Sequence, residues 1–270
     1  MFIASLNSGS NGNCYYIGTT TEAVLVDAGI SCREIEKRMK RLNLNMQHIK
    51  AVFISHEHSD HINGLATLSA KYRLPVYISN ATLLSSRLQL QSAVKGFACG
   101  DSMAVGDLTI TAFSKKHDAA DPYSFVVSCG GINIGVFTDI GSVCSKLTRH
   151  FSTCHAAFLE SNYDENMLES GNYPHFLKQR IRGGWGHLSN REALEVFQKH
   201  RAKHLSHLLL AHLSKNNNDP VLATQLFTPH AAGVKIVIAP RHTQSEVYHI
   251  TAPEIKQRIM HTKPVQMALF

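Results

Sequence analysis

Ser55-His56-Glu57-His58-Ser59-Asp60-His61 places three imidazoles and a ligand-type carboxylate within six positions. Imidazole nitrogens and carboxylate oxygens suit zinc, manganese or iron, whereas calcium takes mostly oxygen donors. The run before it, Ala51-Val52-Phe53-Ile54, is apolar and β-prone, and Ile62 to Tyr72 repeats apolar residues at helical spacing. The cluster therefore falls on a strand-to-helix turn, where side chains two apart converge on one ion and their neighbours aim at a second. A surface loop merely rich in histidine is the alternative in a chain with 17 of them. Four ligand-type residues at this spacing favour the metal.

The elements that must position this turn are legible as strands first in runs, then alternating with helices, in each half of the chain. Strands are expected over 2–6, 14–18, 51–54, 75–78, 108–113, 123–128, 132–138, 156–159, 205–210, 234–238 and 246–250, with a strand and turn over 23–29. Cys129-Gly130-Gly131 marks a hairpin. Ser31 with Glu34 and Ser189 with Glu192 read as capping boxes, the second for a helix to about His200, and Asp219-Pro220 opens another helix. A helix is also expected over 81–90. The loop Ser8-Gly9-Ser10-Asn11-Gly12-Asn13 is either a phosphate cradle, with Ser10, Asn11 and Asn13 at the anion, or a plain hairpin turn. The pattern alone says α/β or α+β.

The 270 residues show no linker, low-complexity tract or repeat, so one domain over 1–261 with a tail over 262–270 is expected. No charged leader precedes an apolar stretch and no run is long enough to span a bilayer. Six scattered cysteines without a CxxC pair fit a reduced compartment. A soluble, cytoplasmic protein with no membrane partner is the expectation. The net charge of +7 fits a polyanionic partner. Arg33, Lys37, Arg38, Lys40 and Arg41 read as a solvated helix face, and Lys178, Arg180 and Arg182 precede a second histidine motif where they could hold a nucleic-acid backbone.

The HxHxDH turn resembles the signature of the metallo-β-lactamase superfamily. That resemblance implies an αββα four-layer sandwich and two divalent metal ions, zinc or manganese with iron possible by donor type. Its order of motifs implies that His56, His58, Asp60 and His61 are joined as ligands by His117 after one strand, Asp139 at the end of another and His212 at the end of a third. Asp27 takes the place of the residue that braces the turn. Glu160 and His187 resemble the glutamate and histidine that ribonuclease Z-like phosphodiesterases place beside the metals, where they protonate the leaving oxygen; with Asp60 they are the expected catalytic residues. His187 and His212 both read as His-Leu-Ser, so either could be the ligand; His212 is preferred because it ends a strand, whereas His187 is expected to begin a helix.

Ser8 to Asn13, Leu159-Glu160-Ser161-Asn162, Gly186-His187-Leu188-Ser189-Asn190 and His212-Leu213-Ser214-Lys215-Asn216-Asn217 resemble the YycJ/WalJ group of bacterial nucleases over nearly the whole chain. This implies a DNA exonuclease, 5′ to 3′, with a role in repair, DNA favoured over RNA. Only about 20 residues separate Asp139 from Glu160, so no β-CASP insertion fits there. Tyr163 departs from the group, which often has His at that place, and no loss of metal is expected from it. Gln266-Met267-Ala268-Leu269-Phe270 matches the QxxLF peptide that docks on the replication sliding clamp; otherwise Leu269 and Phe270 tuck against the protein's own core. Two other functions remain open: a small-molecule hydrolase of the same fold (thioester, lactone or cyclic phosphodiester), which needs no basic track, and a regulatory binding protein with a structural metal. Seven ligand candidates argue against the last, because structural zinc sites close with four.

Overall fold

The computed structural model describes residues 1–252. The expected clamp peptide, Gln266, Leu269 and Phe270, lies outside the described residues, as does the end of the expected 1–261 domain. The first sheet comprises β1 (Phe2–Asn7), β2 (Cys14–Gly18), β3 (Ala23–Val26), β4 (Ile49–Phe53), β5 (Val76–Tyr77), β6 (Val94–Lys95) and, from the chain's far end, β14 (Tyr248–His249), in the order β14-β1-β2-β3-β4-β5-β6. The second comprises β7 (Ser102–Val105), β8 (Leu108–Ser114), β9 (Tyr123–Cys129), β10 (Ile132–Phe137), β11 (Ala156–Glu160), β12 (His207–Ala211) and β13 (Lys235–Ile238), ordered β13-β12-β11-β10-β9-β8-β7. Both sheets are mixed: β3 pairs parallel with β4, and β10 to β13 run parallel to one another.

The period-2 alternation of strand side chains divides the apolar residues among three layers. Ile3, Tyr15, Val24, Phe53, Ile134, Phe158 and Leu209 meet between the sheets. The alternate residues Leu6, Tyr16, Leu25 and Val52 face α1 (Cys32–Arg41), α2 (Ser59–Ile62) and α3 (Leu65–Tyr72), whose Ile35, Ile62 and Leu68 join that cluster; α4 (Asn80–Ser86) adds Leu83 to its margin. Leu159, Leu208 and Leu210 face α5 (Ser145–Phe151), α8 (Asn190–His200) and α9 (Pro220–Phe227), through Phe151, Phe197 and Phe227. Helix, sheet, sheet, helix is the αββα sandwich. Two short helices, α6 (Glu165–Ser170) and α7 (His175–Arg182), lie between β11 and α8; α7 has no buried residue.

Local signals hold where a specific hydrogen bond enforces them. Ser189 and Glu192 complete a capping box, and Asp219 accepts from the N–H groups of Val221 and Leu222. Gly130 and Gly131 both have positive φ, 55° and 77°, as a two-residue hairpin turn requires. Ser31 caps α1 through Glu34 N–H, but no reciprocal Glu34 bond forms; that carboxylate pairs with Lys37 and Arg38 instead. The helix expected over 62–72 is broken at Gly64, whose N–H is taken by Ala28 O at 2.8 Å.

Arg33, Lys37, Lys40 and Arg41 of the first basic run are exposed as expected of a solvated face, and Arg38 is the exception. It is buried, and Nη1 donates to Leu6 O at 2.5 Å, Asn7 Oδ1 and Thr243 O, while Nη2 donates to His242 O. A guanidinium serves here because its fixed fork satisfies several backbone carbonyls at once. Arg38→Ala leaves those acceptors unpaired and is expected to cost about 2–4 kcal/mol of stability by chemical denaturation, against under about 0.5 kcal/mol for exposed Lys40→Ala.

Candidate metal centre

The ligand-type residues gather at one edge of the two sheets because parallel-running strands deliver their carboxyl ends together. Asp27 follows β3, the histidine turn follows β4, and His117, Asp139, Glu160 and His212 stand at or just beyond the ends of β8, β10, β11 and β12. Asp27, Asp139 and His212 have positive φ (62°, 54° and 58°), a conformation that turns the chain sharply at the strand end and costs of order 1–3 kcal/mol in non-glycine residues. Neighbouring bonds hold the turns: Asp27 N–H to Phe53 O at 2.8 Å and His212 N–H to Ser8 Oγ at 2.8 Å.

All seven expected ligands come together, along with Glu160 and His187. His56, His58 and His117 form one group of mutually close ligand atoms and Asp60, His61 and His212 another. His58 Nδ1 lies 3.1 Å from His56 Nε2 and 3.4 Å from His117 Nε2. His212 Nε2 lies 3.4 Å from Asp60 Oδ2. Asp139 stands between the groups, with Oδ2 at 3.3 Å from His61 Nε2 and Oδ1 at 3.9 Å from His117 Nε2. Its buried Oδ2 has no hydrogen-bond partner.

Four imidazoles are oriented through the nitrogen that faces away from the cluster. His56 Nδ1 meets Ser55 Oγ at 2.9 Å, His61 Nδ1 meets Asp27 Oδ2 at 2.7 Å, His117 Nδ1 meets Gly186 O at 3.0 Å, and His212 Nδ1 is 3.3 Å from Glu160 Oε1. Tying one nitrogen fixes the ring and leaves the other lone pair for a cation. Asp27 also accepts from Ser55 N–H and Oγ, so it braces the turn. Nitrogen and oxygen donors around an orphaned carboxylate oxygen are the chemistry of a transition-metal site, and the residues fit one.

The charges differ between the groups. Burial drives His56 well below the usual imidazole range and brings His117 down to about 4. Burial also opposes charge on His61 and His212, yet the surrounding carboxylates overcome it. Asp139, Asp27 and Asp60 hold His61 well above its ordinary value, and Asp139, Asp60 and Glu160 push His212 up to about 10. Asp139 and Asp60 are depressed in spite of burial, chiefly by His212 and His61, and His187 brings Glu160 down to about 2.

His187 lies ahead of α8, not within it, with Nδ1 at 2.8 Å from Glu160 Oε1. Glu160 Oε2 accepts from the N–H groups of Ile140 and Leu188 at 2.7 and 3.1 Å. A cleft of about 190 Å³ is lined by His58, Asp60, His117, Asp139, His187 and His212, by Ser10, and by Leu177, Arg180 and Ile181 of α7.

The residues expected at phosphate divide. Ser10 and Arg180 reach the cleft, and Arg180 Nε pairs with Asp118 Oδ2 at 2.5 Å. Asn13 is fully buried and braces the loop from beneath, touching Gly9, Asp60 and His61, so it is corrected to a positioning residue. Asn11 is held by Arg241, and Lys178 and Arg182 turn to Glu169 instead of the cleft. The loop connects antiparallel β1 and β2, so it is a hairpin turn that also presents Ser10.

Two cations escaped the sequence reading. Buried Lys115 donates to Thr138 O at 2.6 Å, and burial lowers its pKa although Asp139, Asp27 and Glu160 favour its charge. Its signal was its place two residues before His117. Arg241 donates to Asn11 Oδ1, Ser10 Oγ and Leu213 O at 3.0, 3.2 and 2.9 Å. It lies on a segment distant in sequence from every motif, which left no signal. Tyr163 is buried and bridges Ser189 through its backbone.

A profile described as "Beta-lactamase superfamily domain" matches residues 22–212. The chain belongs to the metallo-β-lactamase superfamily. It is 36% identical to an exodeoxyribonuclease YycJ of Bacillus anthracis, over 81% of this chain and 84% of that one. It is 34% identical to an exodeoxyribonuclease WalJ of Streptococcus pneumoniae, over 81% and 83%. The metallo-β-lactamase fold protein YhfI of Bacillus subtilis superposes with a TM-score of 0.71 at 19% identity, covering 92% and 98% of the two chains. Zn²⁺-bound PqqB of Methylobacterium extorquens does so at 0.69 and 15% identity, covering 91% and 100%. The chain is thus a metallo-β-lactamase-type hydrolase, and no helix among its described residues is long and apolar enough to cross a membrane.

Because the surrounding carboxylates favour the protonated form of His61 and His212, loading with zinc is expected to displace protons from them. Calorimetric titrations in two buffers of different ionisation enthalpy are expected to show this release, with affinity rising from about pH 6 to pH 9. An affinity flat across that range contradicts it.

Proposed function

We propose that this protein is a two-metal phosphodiesterase that degrades DNA in preference to RNA, as a 5′ to 3′ exonuclease. His56, His58 and His117 would hold one ion and Asp60, His61 and His212 the other, with Asp139 shared between them. Zinc or manganese, and iron, suit the donors. Such ions supply hydroxide at neutral pH and offset charge on phosphate oxygens. Support for a nucleic-acid substrate comes from the relatives named exodeoxyribonucleases. The observation that carries the phosphodiesterase reading is the His187–Glu160 pair at 2.8 Å beside this cluster.

With Nδ1 taken by Glu160, His187 at the cleft has Nε2 left to deliver a proton to the departing oxygen. Glu160 fixes the ring, and the two backbone N–H groups on its other oxygen fix Glu160. Ser10 and Arg180, which line the cleft, would receive the flanking phosphates, with Arg241 holding Ser10, a contact that tolerates any sequence. The six cysteines, all free, suit the reducing cytoplasm.

Metal-loaded protein is expected to shorten end-labelled DNA, and Asp60→Ala to abolish this. If the wild type cuts neither DNA nor RNA with zinc, manganese or iron, the reading fails. His187→Ala is expected to lower kcat on DNA by about 10²–10⁴-fold. The loss should be much smaller on thymidine 5′-p-nitrophenyl phosphate, whose leaving group departs without a proton. Equal losses on both would remove His187 from the proton-transfer role.

The same reading assigns a repair role, with Gln266, Leu269 and Phe270 bringing the enzyme to the sliding clamp. Clamp capture by the full chain, lost on deletion of the last five residues, is the expected result; capture by neither form discards the partner.

A further inference from the structure

Trp185 is the chain's single tryptophan, and it stands 59% exposed next to Gly186, which lines the cleft. Its exposure does not come from a loose backbone. The Trp185 carbonyl accepts the N–H of Asp118 at 2.9 Å, the next carbonyl, Gly186, meets His117 Nδ1 at 3.0 Å, and Gly141 packs so closely that a Cβ there would come within 2.5 Å of Trp185 Cα. The main chain at Trp185 is therefore stitched to the loops that carry His117 and Asp139, with His187 two residues on. The result is a large exposed ring carried on a main chain that is fixed to the loops of the reacting groups.

A second aromatic, Phe176, is 73% exposed on α7, the helix whose Leu177, Arg180 and Ile181 wall the cleft. Between the two rings the segment carries Lys178, Arg180 and Arg182 and no acid; its acidic partners, Asp118 and Glu169, come from outside. Exposed aromatics on either side of Arg180, the cation of this segment that reaches the cleft, match a ligand with bases that stack and phosphates that need counter-charge. Stacking on a side chain requires a base whose face is free, which an internal base pair does not offer. We propose that Trp185, with Phe176 beyond it, is a stacking platform for unpaired nucleotides, so that the site engages a single-stranded end. This deepens the nuclease reading and rests on it for the substrate class.

The single indole provides a direct readout. Titration of the metal-loaded protein with phosphorothioate oligo(dT), which resists cleavage, is expected to quench its fluorescence saturably; a blunt duplex of equal length should quench little. Oligo(U) in a parallel arm distinguishes RNA from DNA as the source of the bases. In steady-state digestion of single-stranded DNA, Trp185→Ala is expected to raise KM by about tenfold or more, the size of one lost stack, with little of the loss in kcat, and Trp185→Phe to recover most of it. The ring is exposed, so both variants should melt with the wild type. Unchanged fluorescence with both oligonucleotides, or Trp185→Ala with wild-type KM in a preparation that digests DNA, overturns the platform and leaves the nuclease reading standing. Quenching without any digestion by the wild type sinks the nuclease reading and leaves the binding surface.

Discussion

Four carboxylates, those of Asp27, Asp60, Asp139 and Glu160, crowd one edge of the sandwich, and three of them are almost wholly buried. Buried like charges are tolerated only with compensating cations and hydrogen bonds. Without metal, the compensation comes from protons on His61 and His212, from the Lys115 ammonium and from the pair with His187. Protons offset the charge that divalent ions would offset, and Asp139 Oδ2, with a 3.3 Å charge contact to His61 Nε2 but no hydrogen bond, is the oxygen they satisfy least. The group that contains His56 and His117, whose rings burial keeps neutral, and the charged group around His61 and His212 therefore differ in how strongly acid competes with metal.

This charge cluster dictates backbone geometry around it. Asp27, Asp139 and His212 accept left-handed conformations because the strands behind them are hydrogen-bonded into the sheets and cannot relax. The glycine loop and the histidine turn are laced by main-chain bonds: Asn13 N–H to Asp60 O, Ala28 N–H to His61 O and Gly29 N–H to Asn13 O, at 2.7, 2.8 and 2.8 Å. Gly29 is needed there since a Cβ would fall 1.7 Å from Asp60 O. Such lacing transmits the rigidity of two sheets to side chains that must keep sub-ångström positions.

Above this rigid floor the walls are made differently. α7 and the Trp185 loop are exposed, rich in cations and aromatics, and contribute nothing to the three apolar layers. A floor that fixes the reacting atoms and a wall that meets a long polyanion have opposite requirements, and the chain separates them into buried strand ends and surface helix.

The legible part followed from local pattern. The histidine turn shows itself because its ligands lie within six residues, and most strands show themselves through apolar runs or alternation. β7 did not, since half of its residues are exposed on an edge, nor did α7, which has no buried stripe to produce a helical period. Arg38, Asn13 and Arg182 could not be placed from sequence, because a polar side chain points where folding supplies its partners: His242 and Thr243 for the first, Asp60 for the second and Glu169 for the third. By itself the sequence determined the donor types, their order along the chain and the family they resemble. Only the tertiary structure decided which imidazole nitrogen faces inward, that Asn13 lies beneath its loop, that Arg241 joins Ser10, and that the main chain at Trp185 is tied to the His117 loop. The physical reason is that chemistry is written in side-chain type, whereas orientation and charge state arise from contacts between strand ends far apart in the chain.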